Sequence, residues 1–289
     1  MRWVRLARII GVLLAAAALA ACSTLKLAYN NLPELSYWWL DGYLDFGGAQ
    51  TPRVRDDLAE LLAWHRRHEL PRLVVLLRGA QALAPENITP QQACAFADHI
   101  RERLLAVAVQ AEGPGTALAL SLGEAQLQQL ERKYAKNNAE YRKEWLEHSP
   151  ARWQEKRYER TLERYEDFYG RLEPAQRELL GQQVAQSGFD PQAFDAERRR
   201  RQQEVLALLR RFQAERTPPA EARAAIHAYV MRIADPPPGP WRERQQALQQ
   251  EGCRNMAALH NSTSAAQRYQ AARRLHAYER DLSELFADH

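Results

Sequence analysis

The sequence predicts an all-α protein, a single elongated multi-helix bundle, and three observations predict it. Apolar residues recur at three- and four-residue steps along most of the chain beyond residue 50. Proline-led breaks separate these periodic stretches. No window sustains two-residue alternation with β-branched enrichment, the pattern that half-buried strands require.

The elements follow in order. Val54, Leu58, Leu61 and Leu62 form an amphipathic stripe, with Pro52 near its start and Asp56 and Asp57 toward the positive end of the helix dipole. Pro71 ends or kinks that helix, and a second runs through Leu73, Leu76 and Leu77 to Pro85. The third puts Phe96, Ile100, Leu104, Val107 and Ala111 on one face and is closed by Gly113-Pro114-Gly115. Beyond Ser121 the seam Leu127, Leu130, Tyr134, Asn138, Tyr141, Trp145 keeps steps of three and four, as do Tyr158, Leu162, Tyr165, Tyr169 and Leu172. Later stripes are Val205, Leu208, Leu209, Phe212 and then Leu275, Tyr278, Leu282, Leu285. Pro174, Pro191, Pro218-Pro219 and the run 235–240 supply the stops.

Several helix starts share a pattern. Ile88-Thr89-Pro90-Gln91-Gln92, Leu172-Glu173-Pro174-Ala175-Gln176 and Ser262-Thr263-Ser264-Ala265-Ala266-Gln267 each precede a periodic run, and Ser121-Leu122-Gly123-Glu124 is a related form. A capping side chain bonds a free amide of the first turn, and Glu or Gln three residues on reaches back. Glu173 is the poorer cap of the set. The pattern reads as helix-start grammar and does not establish a duplicated sequence.

The N-terminus carries the strongest local signal. Arg2, Arg5 and Arg8 precede the short apolar run from Ile9 to Ala21, which ends Leu19-Ala20-Ala21-Cys22. The run is too short for a spanning helix. With Cys at the cleavage position it resembles the lipobox of a bacterial lipoprotein. That resemblance implies a signal peptide over residues 1–21, a diacylglycerol on the Cys22 sulfur, acylation of the new amino group, and a mature domain spanning 22–289. Ser23 stands where inner-membrane retention usually places Asp, so the periplasmic face of the outer membrane is the expected location.

Three of the 40 basic residues lie in that leader and no acid does, which leaves the mature chain balanced at 37 against 36 acids. A polyanionic partner, nucleic acid included, is therefore not expected. Hydrophobic content of 46% with few glycines excludes a disordered chain. No second long apolar segment follows, so the lipid is the expected membrane attachment. Cys94 and Cys253 remain, and in an oxidising compartment they are expected to pair. Such a bridge would staple the C-terminal hairpin to the body, favouring one continuous unit.

The candidate functional patch is Trp64, His65, Arg66, His68 and Glu69. His65 and His68 are spaced to share a helix face, but a metal site needs further ligands from elsewhere, and His-Glu-x-x-His is absent. Polar histidines at a helix end explain the composition, and no metal is expected. Tyr29, Tyr37, Trp38, Trp39 and Tyr43 are expected to belong to a first core helix; an interfacial belt beside the lipid and a peptide-binding groove are the alternatives. Arg198-Arg199-Arg200-Arg201 reads as a solvated helix face. No Gly-x-Ser-x-Gly, P-loop or dinucleotide fingerprint occurs, so neither catalytic residues nor a cofactor is assigned.

The lipobox Cys22, Tyr29-Asn30-Asn31-Leu32, Trp38-Trp39-Leu40-Asp41, Trp64-His65-Arg66 with Glu69-Leu70-Pro71, Cys253-Arg254-Asn255-Met256 and His260-Asn261-Ser262-Thr263 with Gln267-Arg268 together resemble a family of Gram-negative lipoproteins classed as a domain of unknown function. The resemblance implies a helical periplasmic lipoprotein and no particular activity. A weaker likeness is to Spy-like periplasmic chaperones, on degenerate versions of their Leu-Thr-x-x-Gln motif at Ile88–Gln92 and Leu172–Gln176. The expected function is a lipid-tethered envelope scaffold or accessory protein with a protein partner. A binder of unfolded clients and a hydrolase of envelope polymers are the alternatives.

Overall fold

The computed structural model describes residues 25–287, so the leader 1–21 and Cys22 lie outside the described residues. Among the described residues the regular elements are all helical and none is a strand. A short helix over 25–30 leads into α1 (Leu32–Leu44), α2 (Gln50–His68), α3 (Leu70–Leu83), α4 (Pro90–Gln110), α5 (Glu112–Ser121) and α6 (Glu124–Tyr141). A widened turn over Arg142–Leu146 extends α6, with Glu147 N bonded to Arg142 O at 3.0 Å. Then come α7 (Pro150–Tyr169), α8 (Pro174–Ala185), α9 (Pro191–Glu215), α10 (Pro219–Ala234), α11 (Pro240–Asn261) and α12 (Ala265–Ala287). No single described helix is long and apolar enough to cross a membrane.

The chain folds back on itself in nested pairs: α3 with α12, α4 with α11, α5 with α10, α6 with α9, and α7 with α8. Cross-pair contacts show α3 with α12, α4 with α11 and α6 with α9 to be antiparallel. Leu70 meets Leu285 and Arg78 meets Glu279; Cys94 meets Cys253 and Asp98 meets Gln249. Glu112 meets His227, Glu131 meets Arg210 and Asn138 meets Gln202. Cys94 and Cys253 are disulfide-bonded with Cα atoms 5.2 Å apart, closing a loop of 159 residues and fixing α11 to α4. The C-terminal hairpin is therefore built into the body.

No single central core results. Among the described residues, buried side chains form three clusters. Tyr169, Leu172, Leu180, Leu259 and Ala271 join α7, α8, α11 and α12. Leu44, Leu122, Leu127, Leu130 and Leu206 join α1, α6 and α9. Tyr29, Leu70 and Leu285 tie the 25–30 segment to the α2–α3 junction and the end of α12.

The helix-start grammar is present in the backbone. Thr89 accepts from Gln92 N while Gln92 Oε1 accepts from Thr89 N at 2.8 Å, and Ser264 with Gln267 does the same. Glu173 N donates to Gln176 Oε1 at 2.9 Å. At α6 the start is Gly123 with Gln126, whose Oε1 accepts from Gly123 N at 3.1 Å. These glutamines also bond one another. Gln176 and Gln267 form a head-to-tail amide pair, with Nε2-to-Oε1 distances of 2.8 and 2.9 Å. Gln50 and Gln126 form another at 3.2 and 2.8 Å. Each glutamine then donates to a carbonyl at the end of the helix preceding its partner: Gln267 to Arg171 O, Gln176 to Ser262 O, Gln126 to Leu44 O and Gln50 to Ser121 O. The pairs thus close the open carbonyls of four helix C-termini.

Three expectations need correction. Gly113-Pro114-Gly115 does not close a helix but lies in the first turns of α5, where a proline without an amide hydrogen is tolerated. The face Phe96, Ile100, Leu104, Val107, Ala111 is not a buried stripe: α4 has no fully buried residue, and Leu104 is 65% exposed. The aromatic N-terminal helix is only half core, since Tyr29, Tyr37 and Leu44 are buried while Trp38 and Trp39 face outward.

Candidate functional site

The patch singled out in sequence sits at the elbow between α2 and α3. Pro71 in the first turn of α3 forces the new helix, and Glu69 serves as the joint, its N–H bonded to His65 O and its carbonyl accepting from Leu73 N. The Glu69 side chain is fully buried, with Arg72 at 2.8 Å and Arg103 at 3.6 Å from its two oxygens. His65 Nδ1 lies 2.9 Å from the Tyr29 hydroxyl, and Arg66 donates to Asn30 Oδ1 at 2.7 Å while covering the Tyr29 ring. His68 turns away: its ring stacks on Trp64, and its Nδ1 is 2.9 Å from Trp64 O. The two histidines thus do not converge. Among the described residues no three His, Cys, Asp or Glu side chains are placed to hold a metal.

The elbow is a lock for the N-terminal segment. Burial holds the His65 pKa below its ordinary value, with the Glu69 charge opposing, and burial raises Tyr29 against the pull of Arg66. A neutral imidazole beside a neutral phenol makes a stable contact, and both favour the uncharged pair.

The C-terminal motif makes a second lock. His260 Nδ1 is 2.8 Å from the Tyr169 hydroxyl and its Nε2 is 2.8 Å from Glu86 O. Asn261 brackets Ile88 through both its N–H and its carbonyl, and Arg268 donates to Pro85 O and Asn87 Oδ1. The residues 260–268 therefore clasp the α3–α4 loop. Burial lowers the His260 pKa and raises that of Tyr169.

The arginine run of α9 is spent within the fold. Arg198 donates to Asp195 and covers the Tyr141 ring at 4.0 Å; Arg200 and Arg201 both reach Glu197, and Arg200 also reaches Glu204. Asp195 and Glu197 are themselves buried. The run is a partly buried ion-pair network more than a solvated face.

What sequence reading missed is a groove. A cleft of about 660 Å³ lies between α4, α10 and α11, and of the α4 stripe only Leu104 lines it. Leu104, Leu105, Tyr229, Ile233, Trp241 and Leu248 supply most of its wall, with Arg101 and Arg201 at its margin. Trp241 Nε1 and Gln245 Oε1, one turn apart on α11, are shielded from solvent yet have no hydrogen-bond partner. The lining contains no carboxylate and no thiol. Little in the sequence signals it, since the α4 stripe contributes only Leu104 and most of the remaining wall comes from α10 and α11. A smaller apolar pocket of about 150 Å³ lies beside Tyr169 and His260, beneath the 260–268 clasp.

No curated protein and no solved structure shows a significant match to this chain. Residues 42–218, more than half of the chain and running from α1 to the start of α10, match a family of unknown function. The chain belongs to that family, DUF6279.

Proposed function

We propose that this is a lipid-anchored envelope protein that binds an apolar segment of a partner protein in the groove between α4, α10 and α11. The lipobox ending at Cys22 supports the anchor and the periplasmic face of the outer membrane as its location. The observation that carries the binding role is the open apolar groove, walled by Leu104, Leu105, Tyr229, Ile233, Trp241 and Leu248. Binding sites are concave and predominantly apolar, and this groove is both. A chaperone-like role is the second reading, favoured by the same open concavity.

A photo-reactive residue at Leu105, in the natively lipidated chain in living cells, tests the proposal. One dominant partner, absent when the residue is moved to Glu159 on the outer surface of α7, supports a dedicated accessory protein. A broad set of unrelated envelope proteins caught only at Leu105 supports the chaperone. Equal labelling at both positions refutes the groove as a binding site.

A further inference from the structure

The N-terminal helix presents an apolar line to the outside. Leu27, Leu32, Leu35, Trp38 and Trp39 are all exposed, with Trp38 at 60% and Trp39 at 62%. The exposed residues between 27 and 42 are all uncharged. The steps of three and four between Leu27, Asn31, Leu35, Trp38 and Gly42 keep them on one side across the break at Asn31, where Leu35 N still bonds Asn31 O. The acids of α1 stand off this line: Glu34, at its edge, pairs with Arg55 at 2.8 Å, and Asp41 accepts from Phe46 N. On the opposite side Tyr37 and Leu44 are buried, and α1 packs on α2 and α6. The segment is also fixed at its start, because Tyr29 and Asn30 are held by His65 and Arg66 and Lys26 pairs with Glu284. The line is therefore a rigid feature of the body. From Leu27 to Trp39 it extends about 18 Å at the helical rise.

We infer that this face of the 25–30 segment and α1 lies in the interfacial layer of the membrane that carries the anchor, so that the body is docked in one orientation. This rests on the proposal that Cys22 is acylated. Leu27 is five residues beyond Cys22, so the apolar line begins within one and a half helical turns' count of the lipid attachment. A face that close to acyl chains meets lipid before any other partner. Apolar residues seat a helix parallel to the surface, and indole rings favour the headgroup level. The Tyr29–His65 and Arg66–Asn30 contacts would then transmit the orientation of the helix to the α2–α3 elbow.

The natively lipidated chain in phosphatidylethanolamine–phosphatidylglycerol vesicles tests this, with tryptophan fluorescence read against lipids brominated near the headgroup end of the acyl chain. Mass spectrometry of the same sample reads the acylation. The expected result is that brominated lipid quenches the wild type, that Trp38→Phe/Trp39→Phe removes at least half of that quenching, and that Trp64→Phe leaves most of it. Quenching by this criterion supports the docked face whether or not acyl chains are found, while a chain without acyl groups refutes the anchor alone. An acylated chain with no quenching, or with quenching indifferent to Trp38 and Trp39, overturns the inference and leaves the anchor standing. Efficient Leu35→Cys to Leu35→Cys cross-linking between chains without quenching overturns it in favour of a second copy on this face.

Discussion

Gln267 is the residue whose loss the structure makes most legible. Its amide is buried at the start of α12 and makes four hydrogen bonds: one to Ser264 N, one to Arg171 O and two with Gln176. Gln267→Ala removes all four and leaves the amide of Gln176 half satisfied. At a net of about 0.5–1.5 kcal/mol for each bond, with water recovering part of the loss, the variant should lose about 2–4 kcal/mol. Gln176→Ala should cost a similar amount, since it also surrenders Ser262 O and Glu173 N. In the double variant the two shared bonds are lost once, so the costs should fall short of additivity by about 1–2 kcal/mol. Urea unfolding of the chain beginning at Ser23, followed by far-ultraviolet circular dichroism, measures each corner of the cycle. Additivity within about 0.3 kcal/mol, or a single-variant cost below about 0.5 kcal/mol, would refute the claim that this pair closes the two helix junctions.

Other expectations follow from the same structure. Cys94→Ser/Cys253→Ser opens the 159-residue loop and should lower stability by up to about 5 kcal/mol, and adding reductant should reproduce the loss in the wild type but not in the variant. His65 and His260 have folded pKa values below 6.5, so the unfolded chain binds more protons there. Stability should therefore fall as pH drops from 7.5 toward 5.5, and His260→Gln should flatten that fall in urea titrations run at each pH. Glu69→Ala leaves Arg103 with the exposed Glu102 as its acid and should cost about 2–3 kcal/mol, the exposure of Arg72 holding the figure below that of a fully buried pair. Glu69→Gln should recover part of that loss in the same unfolding assay.

The parts of the fold visible in sequence were those set by local chemistry. Prolines, capping side chains and three-four periodicity mark α2, α3 and α6 to α9 because each acts within a turn or two of chain. The pairing of Gln176 with Gln267 spans 91 residues, and the nesting of α3 with α12 spans about 200; neither leaves a trace in any window. The candidate patch divided in the same way. His65 and Glu69 do lie together at an elbow that Pro71 announces, yet their partners, Tyr29 and Arg103, could be found only once the chain had folded. The α4 stripe shows the limit most clearly. Periodicity identifies an apolar face, but whether it meets a helix, a groove or a partner depends on α10 and α11, more than 100 residues away.

That dependence bears on how much chain the fold needs. The family match ends at Pro218, but the helices that cover α3, α4 and α5 come after it. Cut at residue 218, the chain would lose Leu282 and Leu285 from Leu70, Cys253 from Cys94 and His227 from Glu112. Leu70 and Val74, now buried, would face water, and a buried leucine exposed costs about 1.5–3 kcal/mol. Both helices of the pairs α6 with α9 and α7 with α8 would remain, although α7 and α8 would lose Leu259, Ala271 and Gln267. A fragment spanning 42–218 should therefore be partly helical by circular dichroism but lack the single cooperative transition of the full chain, and it should bind a dye of exposed apolar surface. A sharp transition at the full chain's midpoint would show instead that α3 to α5 are held from within the matched region. The nested return half would then be an addition to a fold already complete.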